Sequence, residues 1–202
     1  MTALAAAAIP SISNFNVQAL SNLSWAFSKL DVRNENLLDA ISAEALPKIA
    51  AFDAQALSNT LWSFARLEVW HAPMSEAIAC RSVAMISELT TQEVSNISWA
   101  LAKLWFHHEP LLDALSSQAL PRISELNPQE LSVSAWAFAT LHMRPRPLFE
   151  AIAAQAGARI EDFGALEISN LAWAFARQAE RNEPLMSAIA ARAETLSMEG
   201  PV

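Results

Sequence analysis

Residues 21–30 read SNLSWAFSKL, and this segment recurs along the chain at a constant interval. Its copies are SNTLWSFARL at 58–67, SNISWALAKL at 95–104, SVSAWAFATL at 132–141 and SNLAWAFARQ at 169–178. The tryptophans of these segments follow one another every 37 residues, at Trp25, Trp62, Trp99, Trp136 and Trp173. A constant period of this length is typical of a solenoid built from helical repeats.

The interval divides the chain into five units and a short leading segment. The predicted units are 15–51, 52–88, 89–125, 126–162 and 163–199. Residues 1–14 are in register with the end of a unit, because Pro10 and Ile12 lie one interval before Pro47 and Ile49. We therefore predict an all-α solenoid of five 37-residue helical hairpins preceded by the tail of a partial repeat. We also expect the chain to be a section of a longer array, without a targeting segment in its alanine-rich start.

Each unit is expected to form two helices, A and B. Helix A should begin after a capping residue, at Asn16, Asp53, Thr90, Asn127 and, more weakly, Gly164. Glutamates three residues later predict capping boxes, at Glu93, Glu130 and Glu167. Helix B should begin near a proline, at Pro73, Pro110, Pro147 and Pro184, and at Asn36 in the first unit. Pro47 and Pro121 should shorten or kink helix B near its end.

The composition excludes several classes of protein. A chain of 202 residues that is 53% hydrophobic and 17% charged is too apolar to be a disordered tail. Its 3 glycines are scattered, which rules out a glycine-rich phosphate loop, and its 1 cysteine rules out an internal disulfide. No apolar run is long enough to span a membrane. The net charge of -8 disfavours binding to duplex DNA through bulk charge.

One side of helix A carries amides and cations. The residues seven before, three before and four after each tryptophan fall within roughly 40° of one another on a helix. We call them the amide–cation stripe: Gln18, Asn22, Lys29; Gln55, Asn59, Arg66; Gln92, Asn96, Lys103; Gln129, Val133, Thr140; Leu166, Asn170, Arg177. Carboxamides offer donors and acceptors to base edges, and cations meet phosphates. All of these residues except Val133 and Leu166 are therefore candidate RNA-binding residues.

Other residues favour structural roles. The serine four residues before each tryptophan is interpreted as a small packing residue between helices. Each tryptophan either stacks a base or packs between repeats, and packing is the favoured interpretation. His71, His107, His108 and Glu109 at the A–B turn indicate a solvated turn rather than a metal site. No combination of nucleophile, base and acid is apparent, so we expect neither an enzyme nor a cofactor.

The quoted segments resemble the heptatricopeptide and octotricopeptide repeats of organelle RNA-handling proteins, which often carry a C-terminal RAP domain. The B-helix segment EPLLDALSSQALPRISEL at 109–126 is similar in style, and the period of 37 matches the heptatricopeptide form. The resemblance covers nearly the whole chain, although the RAP domain and the PPPEW signature of the octotricopeptide form are absent. It implies paired helices, RNA contacts on helix A, and an organelle role, in chloroplast or mitochondrion, in transcript processing, stability or translation.

Two functions are compatible with the sequence. The first is a sequence-selective module for single-stranded RNA that reads about one base per repeat. The alternative is a scaffold that binds a peptide or helix of a protein partner in the solenoid groove. The net charge of -8 favours this alternative with a basic partner. Acids of helix B would support it further if they reach the groove; the recurring ones are Asp39, Glu76, Asp113 and Glu150.

Overall fold

The computed structural model describes residues 2–179 and 182–199, which form helices and turns without a β-strand. The helices are α1 (Thr2–Ala8), α2 (Val17–Lys29), α3 (Glu35–Ala45), α4 (Ala54–Arg66), α5 (Ala72–Ala84), α6 (Thr91–Lys103), α7 (Glu109–Ala119), α8 (Pro128–Thr140), α9 (Arg146–Ala158), α10 (Ala165–Arg177) and α11 (Glu183–Glu199). Short 3-10 segments lie at Ile9–Asn14, Leu46–Ala51, Ile86–Glu88, Leu120–Glu125 and Ile160–Asp162. Met1 of the predicted leading segment and residues 180–181 of the predicted fifth unit lie outside the described residues.

The helices alternate between two layers. The even-numbered helices from α2 to α10 are the A helices, and each makes its most extensive contacts with an A helix of a neighbouring unit. The B helices, α3 to α11, contact one another less and also pack against the 3-10 segments of neighbouring units. This arrangement confirms the predicted all-α solenoid.

The contact between successive A helices depends on small and apolar side chains. The A helices also supply much of the apolar core. Leu20, Leu57 and Leu131 are fully buried, as is the row two residues after each tryptophan: Phe27, Phe64, Leu101, Phe138 and Phe175. The serine four residues before each tryptophan is buried in α2, α4, α6 and α8 and exposed in α10, because no described A helix follows α10. Ser21 Oγ donates to the Ala56 carbonyl of the next unit at 3.3 Å. These serines therefore act as the small packing residues that we expected.

The A helices begin where the capping pattern predicts. Asn16, Asp53, Thr90 and Asn127 each accept a hydrogen bond from the backbone N–H three residues on. Complete capping boxes join Thr90 to Glu93 and Asn127 to Glu130. The capping box predicted at Gly164 and Glu167 is wrong, since Gly164 has no side-chain acceptor and forms no side-chain cap.

The B helices begin slightly before the predicted residues. Pro73, Pro110, Pro147 and Pro184 each occupy the second helical position, and the first B helix begins at Glu35 rather than at Asn36. The capping residues lie just outside, where Asn34, His71, His108 and Asn182 accept backbone hydrogen bonds. Pro47 and Pro121 do shorten helix B, since α3 and α7 end at Ala45 and Ala119 and continue as 3-10 segments.

Basic residues in helix B or in the segment that follows it brace four of the five predicted units internally. Lys48 Nζ donates to the Phe15 carbonyl at 2.9 Å, and Arg122 donates to the Leu89 carbonyl at 2.8 Å. Arg159 and Arg192 make the same kind of bond, to the Leu126 and Phe163 carbonyls. In each case the acceptor is the first residue of the predicted unit to which the cation belongs. Charge-assisted bonds to a backbone carbonyl are stronger than neutral ones, so these cations hold the end of helix B against the start of helix A.

Each A helix ends in a left-handed residue that is not glycine. Asp31, Glu68, Trp105, His142 and Ala179 have φ between 52° and 58°. The following N–H bonds back to a carbonyl in the last turn, as from Val32 to Phe27 at 3.0 Å and from Phe106 to Leu101 at 2.9 Å. This is the Schellman ending, in which glycine is the usual residue. No glycine marks this ending in the sequence, because the chain has only 3 glycines and none stands at this position.

We expect Trp105→Gly to stabilise the protein. A bulky residue is disfavoured in the left-handed region, and the Trp105 side chain is 69% exposed, so its removal forfeits little packing. The midpoint of urea unfolding should rise by the equivalent of about 1 kcal/mol. Trp105→Ala serves as the control, since it removes the ring and keeps the strained backbone. An equal rise in both variants would show that the ring, not the backbone, is the cause.

Candidate nucleic-acid interface

The amides of the stripe lie on the surface of the A helices. Gln18, Gln55, Gln92 and Gln129 are exposed, as is Asn22, while Asn59, Asn96 and Asn170 are partly buried. Among the described residues, none of these side chains hydrogen-bonds to another protein group. The donors and acceptors of these amides are therefore free for a ligand. An asparagine that bonded a neighbouring helix would have no such free groups.

Four of the amides meet in one cleft between α2 and α4. Gln18 and Asn22 of α2 face Gln55 and Asn59 of α4 across it. Val17, Ser21, Asp53 and Ala56 complete the lining. The structure thus brings together side chains of two units that the sequence places 37 residues apart, and it adds the Asp53 carboxylate, which the helical projection did not include.

The cations of the stripe are less free than the sequence indicated. Arg66 lies 3.5 Å from Asp31, Lys103 lies 3.0 Å from Glu68, and Arg177 lies 3.3 Å from His142. No acid occupies a position of the stripe itself, but two of its cations are paired with acids from outside it. The left-handed residue that ends one A helix lies next to the last turn of the following A helix, a proximity that only the stacking of units creates.

Lys103 also changes the titration of its partner. The pKa of Glu68 is lowered by the hydrogen bond from Lys103 and by the charge of the same ammonium. Glu68 is largely exposed and Lys103 is partly buried, so solvent screens the pair and it contributes little to stability. The free-energy cost for a phosphate to displace Glu68 from Lys103 is therefore small.

Lys29 has a different environment from the other cations. Its Nζ lies 5.5 Å from the centre of the Trp25 ring and 5.6 Å from that of Trp62. In the described part of the chain it has no carboxylate within ion-pair distance. Cation–π contacts of this length stabilise an ammonium without neutralising it, so the charge remains available to a phosphate.

Three positions of the stripe depart from the pattern. Thr140 is 5% exposed and its hydroxyl has no hydrogen-bond partner in the protein, so its assignment as a candidate RNA-binding residue is wrong. Other units have a lysine or arginine at this position, and those longer side chains reach the surface. The short threonine side chain stays buried. Val133 is partly buried and Leu166 is 69% exposed, and both interrupt the row of amides as expected.

The recurrent tryptophans pack between repeats and stay partly exposed. Ring centres are 5.8 Å apart for Trp62 and Trp99 and 6.4 Å apart for Trp136 and Trp173. Trp25 and Trp173 remain 43% and 44% exposed. The favoured interpretation as inter-repeat contacts is therefore right for these pairs, and aromatic surface is left on the same face as the amides.

A possible ligand group for a metal ion lies at the A–B turn. Atoms of Glu76, Cys80 and His108 approach within 4.8 Å of one another. The turn is not simply solvated, because His108 Nδ1 accepts the N–H of Leu111 at 3.1 Å. The sequence missed the group because Glu76 and Cys80 belong to the preceding unit.

The tautomer of His108 decides whether this group suits a metal ion. Since a backbone N–H donates to Nδ1, the neutral ring carries its proton on Nε2, the nitrogen that faces Glu76 at 3.5 Å. The nitrogen that a metal would need is protonated, which disfavours a metal site.

The chain matches a family of known proteins. Residues 1–183 match the family model described as RESC6, RNA-editing substrate-binding complex 6 protein. The chain belongs to this family. Membership agrees with an RNA-associated helical protein, while the finer assignment to heptatricopeptide repeats stays a prediction. No curated protein matches the chain. Within the part of the chain that the structure describes, no helix is both long and apolar enough to cross a membrane.

We expect Zn²⁺ to bind no better to the wild-type protein than to a Cys80→Ser variant. Binding through His108 Nε2 would require the cap at Leu111 to break first. A titration against a colorimetric chelator measures this directly, with His108→Asn as a second variant that keeps a capping side chain of the type found at Asn34. Stoichiometric Zn²⁺ binding that both substitutions abolish would contradict the tautomer assigned here.

Proposed function

We propose that this chain is a non-catalytic module that binds single-stranded RNA across its A-helix face. The observation that carries the proposal is the set of surface carboxamides without protein partners, four of which line the cleft between α2 and α4. Carboxamides read base edges, exposed tryptophans stack bases, and cations bind phosphates. These three groups lie on the same side of successive A helices, so a strand that crosses the units would meet them repeatedly.

Membership of a family named for an RNA-editing substrate-binding complex supports the same proposal. We further propose that the repeats are of the heptatricopeptide type and that the protein acts in an organelle, in RNA processing, stability or translation. The support for these finer statements is the repeat length and the A-helix segments.

A protein-binding scaffold is the second candidate. The acids of the B layer favour it, since Asp39, Glu76, Asp113 and Glu150 are all exposed. A row of carboxylates on that layer would attract a basic partner. The two functions use opposite layers, so a partner on the B helices would leave the A helices open to RNA.

The deciding experiment is fluorescence anisotropy with a randomised single-stranded RNA pool at two salt concentrations, with duplex DNA as the control. Binding that is sensitive to salt and confined to the single strand is expected. Absence of binding at low salt would overturn the proposed RNA function and favour the scaffold.

Replacing Lys29, Arg66, Lys103 and Arg177 with alanine should weaken RNA binding and flatten its salt dependence. Each lost phosphate contact lowers the log–log slope by roughly 0.7 for a single strand, so four contacts correspond to roughly 3. A matched control removes Lys48, Arg122 and Arg159, which are engaged with backbone carbonyls, and should leave the slope unchanged in molecules that remain folded. An unchanged slope in the first variant would remove these cations from the interface.

Neutralising the acids that hold two of the cations should have the opposite effect. The double variant Asp31→Asn, Glu68→Gln releases Arg66 and Lys103, so RNA affinity should rise several-fold at low salt and converge with the wild type at high salt. Asn is well suited to the left-handed backbone at residue 31. The control is Asp113→Asn, Glu150→Gln, which changes the net charge equally on the B layer. Equal gains in both double variants would show a general charge effect instead of released cations.

A further inference from the structure

The cleft between α2 and α4 is narrow, with room for about one water molecule, so a base would contact its polar lining from the open side. We propose that it binds a base that carries an exocyclic amino group in preference to uracil, and that the Asp53 carboxylate sets this preference. The inference rests on the proposed RNA binding and specifies which bases one part of the face accepts.

Asp53 has two roles that use different oxygens. Its Oδ1 accepts the backbone N–H of Ala56 at 2.8 Å and caps α4. Among the described residues its second oxygen has no hydrogen-bond partner, and the side chain is exposed on the lining of the cleft. A carboxylate oxygen accepts hydrogen bonds and cannot donate them, so this part of the cleft offers an acceptor of fixed polarity.

The other lining groups do not impose such a polarity. Gln18, Asn22, Gln55 and Asn59 each present both a donor and an acceptor, and rotation of the amide exchanges the two. They adapt to any base edge. The discrimination therefore depends on the one lining group that cannot adapt, which is Asp53.

Uracil is the base least suited to that acceptor. Its Watson–Crick edge has two carbonyl oxygens on either side of a single N–H, and a carboxylate repels the carbonyls. Cytosine presents its N4 amino group, for which aspartate and glutamate are fitting acceptors, and adenine presents its N6 amino group. Cytosine and uracil have rings of the same size, so the difference between them isolates this contact.

The same groove holds the remaining parts of a nucleotide site. Trp25 and Trp62 lie three residues beyond Asn22 and Asn59, a rise of about 4.5 Å along each helix. Lys29 Nζ lies within 5.6 Å of both ring centres. A base at the cleft thus has aromatic surface about one helical turn away and an un-neutralised ammonium about two turns away.

Asp53 distinguishes the α2–α4 groove from the grooves between the later A helices. The residues that precede the other A helices are uncharged, at Asn16, Thr90, Asn127 and Gly164. Each later groove also lacks some part of the set, since Arg66 and Lys103 are paired with acids, Val133 replaces an amide, and Thr140 is buried. The α2–α4 groove therefore has the most complete set of ligand-binding groups among the described units.

The test compares short oligocytidylate and oligouridylate RNAs of equal length by fluorescence anisotropy at neutral pH. We expect the wild-type protein to bind oligocytidylate roughly tenfold more tightly, the ratio that one good base contact supplies. Asp53→Asn should reduce the ratio to below about twofold. Because asparagine caps helices as well as aspartate does, and already caps α2 and α8, this variant should unfold at the wild-type urea midpoint.

The control is Asp39→Asn, which removes the same charge by the same substitution from the exposed surface of α3. It should raise affinity for both RNAs slightly and leave their ratio unchanged. Equal binding of the two RNAs by the wild type, or a ratio that survives Asp53→Asn, would overturn the preference while leaving RNA binding itself intact. Failure of the wild type to bind either RNA or the randomised pool at low salt would overturn the subsite and the proposed function together.

Discussion

The close packing of each A helix on the next is the contact on which the rest of the structure depends. It requires small side chains where the helices approach, and the buried serines Ser21, Ser58, Ser95 and Ser132 satisfy that requirement. Because the contact recurs at every unit, it places equivalent side chains of successive A helices next to one another. A row of surface amides is a direct consequence, since the residues outside the contact are repeated with the same period as those inside it.

The same stacking determines which charges are available. It places the residue that ends one A helix beside the last turn of the following one, so that Asp31 meets Arg66 and Glu68 meets Lys103. Other cations are used within units, where Lys48, Arg122 and Arg159 hold backbone carbonyls. An acidic protein with 13 lysines and arginines thus commits many of them internally. Any RNA binding must rely on amides, aromatic rings and a few displaceable ion pairs more than on bulk positive charge, which predicts selectivity at modest affinity.

The departures from regularity mark where the units differ in surface chemistry. Thr140 turns one position of the stripe into a core residue, and Leu166 replaces an amide in the last unit with an exposed apolar side chain. Asp53 supplies a carboxylate where the other units have neutral caps. An array that keeps its packing constant while it varies these positions presents a different set of surface groups at each step along the solenoid.

The sequence by itself determined the period, the helix pairs, the A-helix caps and the face that carries the amides. These properties follow from local rules, because capping, proline placement and helical angle depend on residues within a few positions of one another. Only the tertiary structure decided the left-handed ends of the A helices, the pairing of Arg66 and Lys103 with acids, the burial of Thr140, and the approach of Cys80 to His108. The left-handed ends are local in the chain, but no glycine marks them in the sequence. The ion pairs, the burial of Thr140 and the approach of Cys80 to His108 join residues of different units or depend on what covers a side chain. Their proximity follows from how the helices stack, which the spacing of residues along one helix does not reveal.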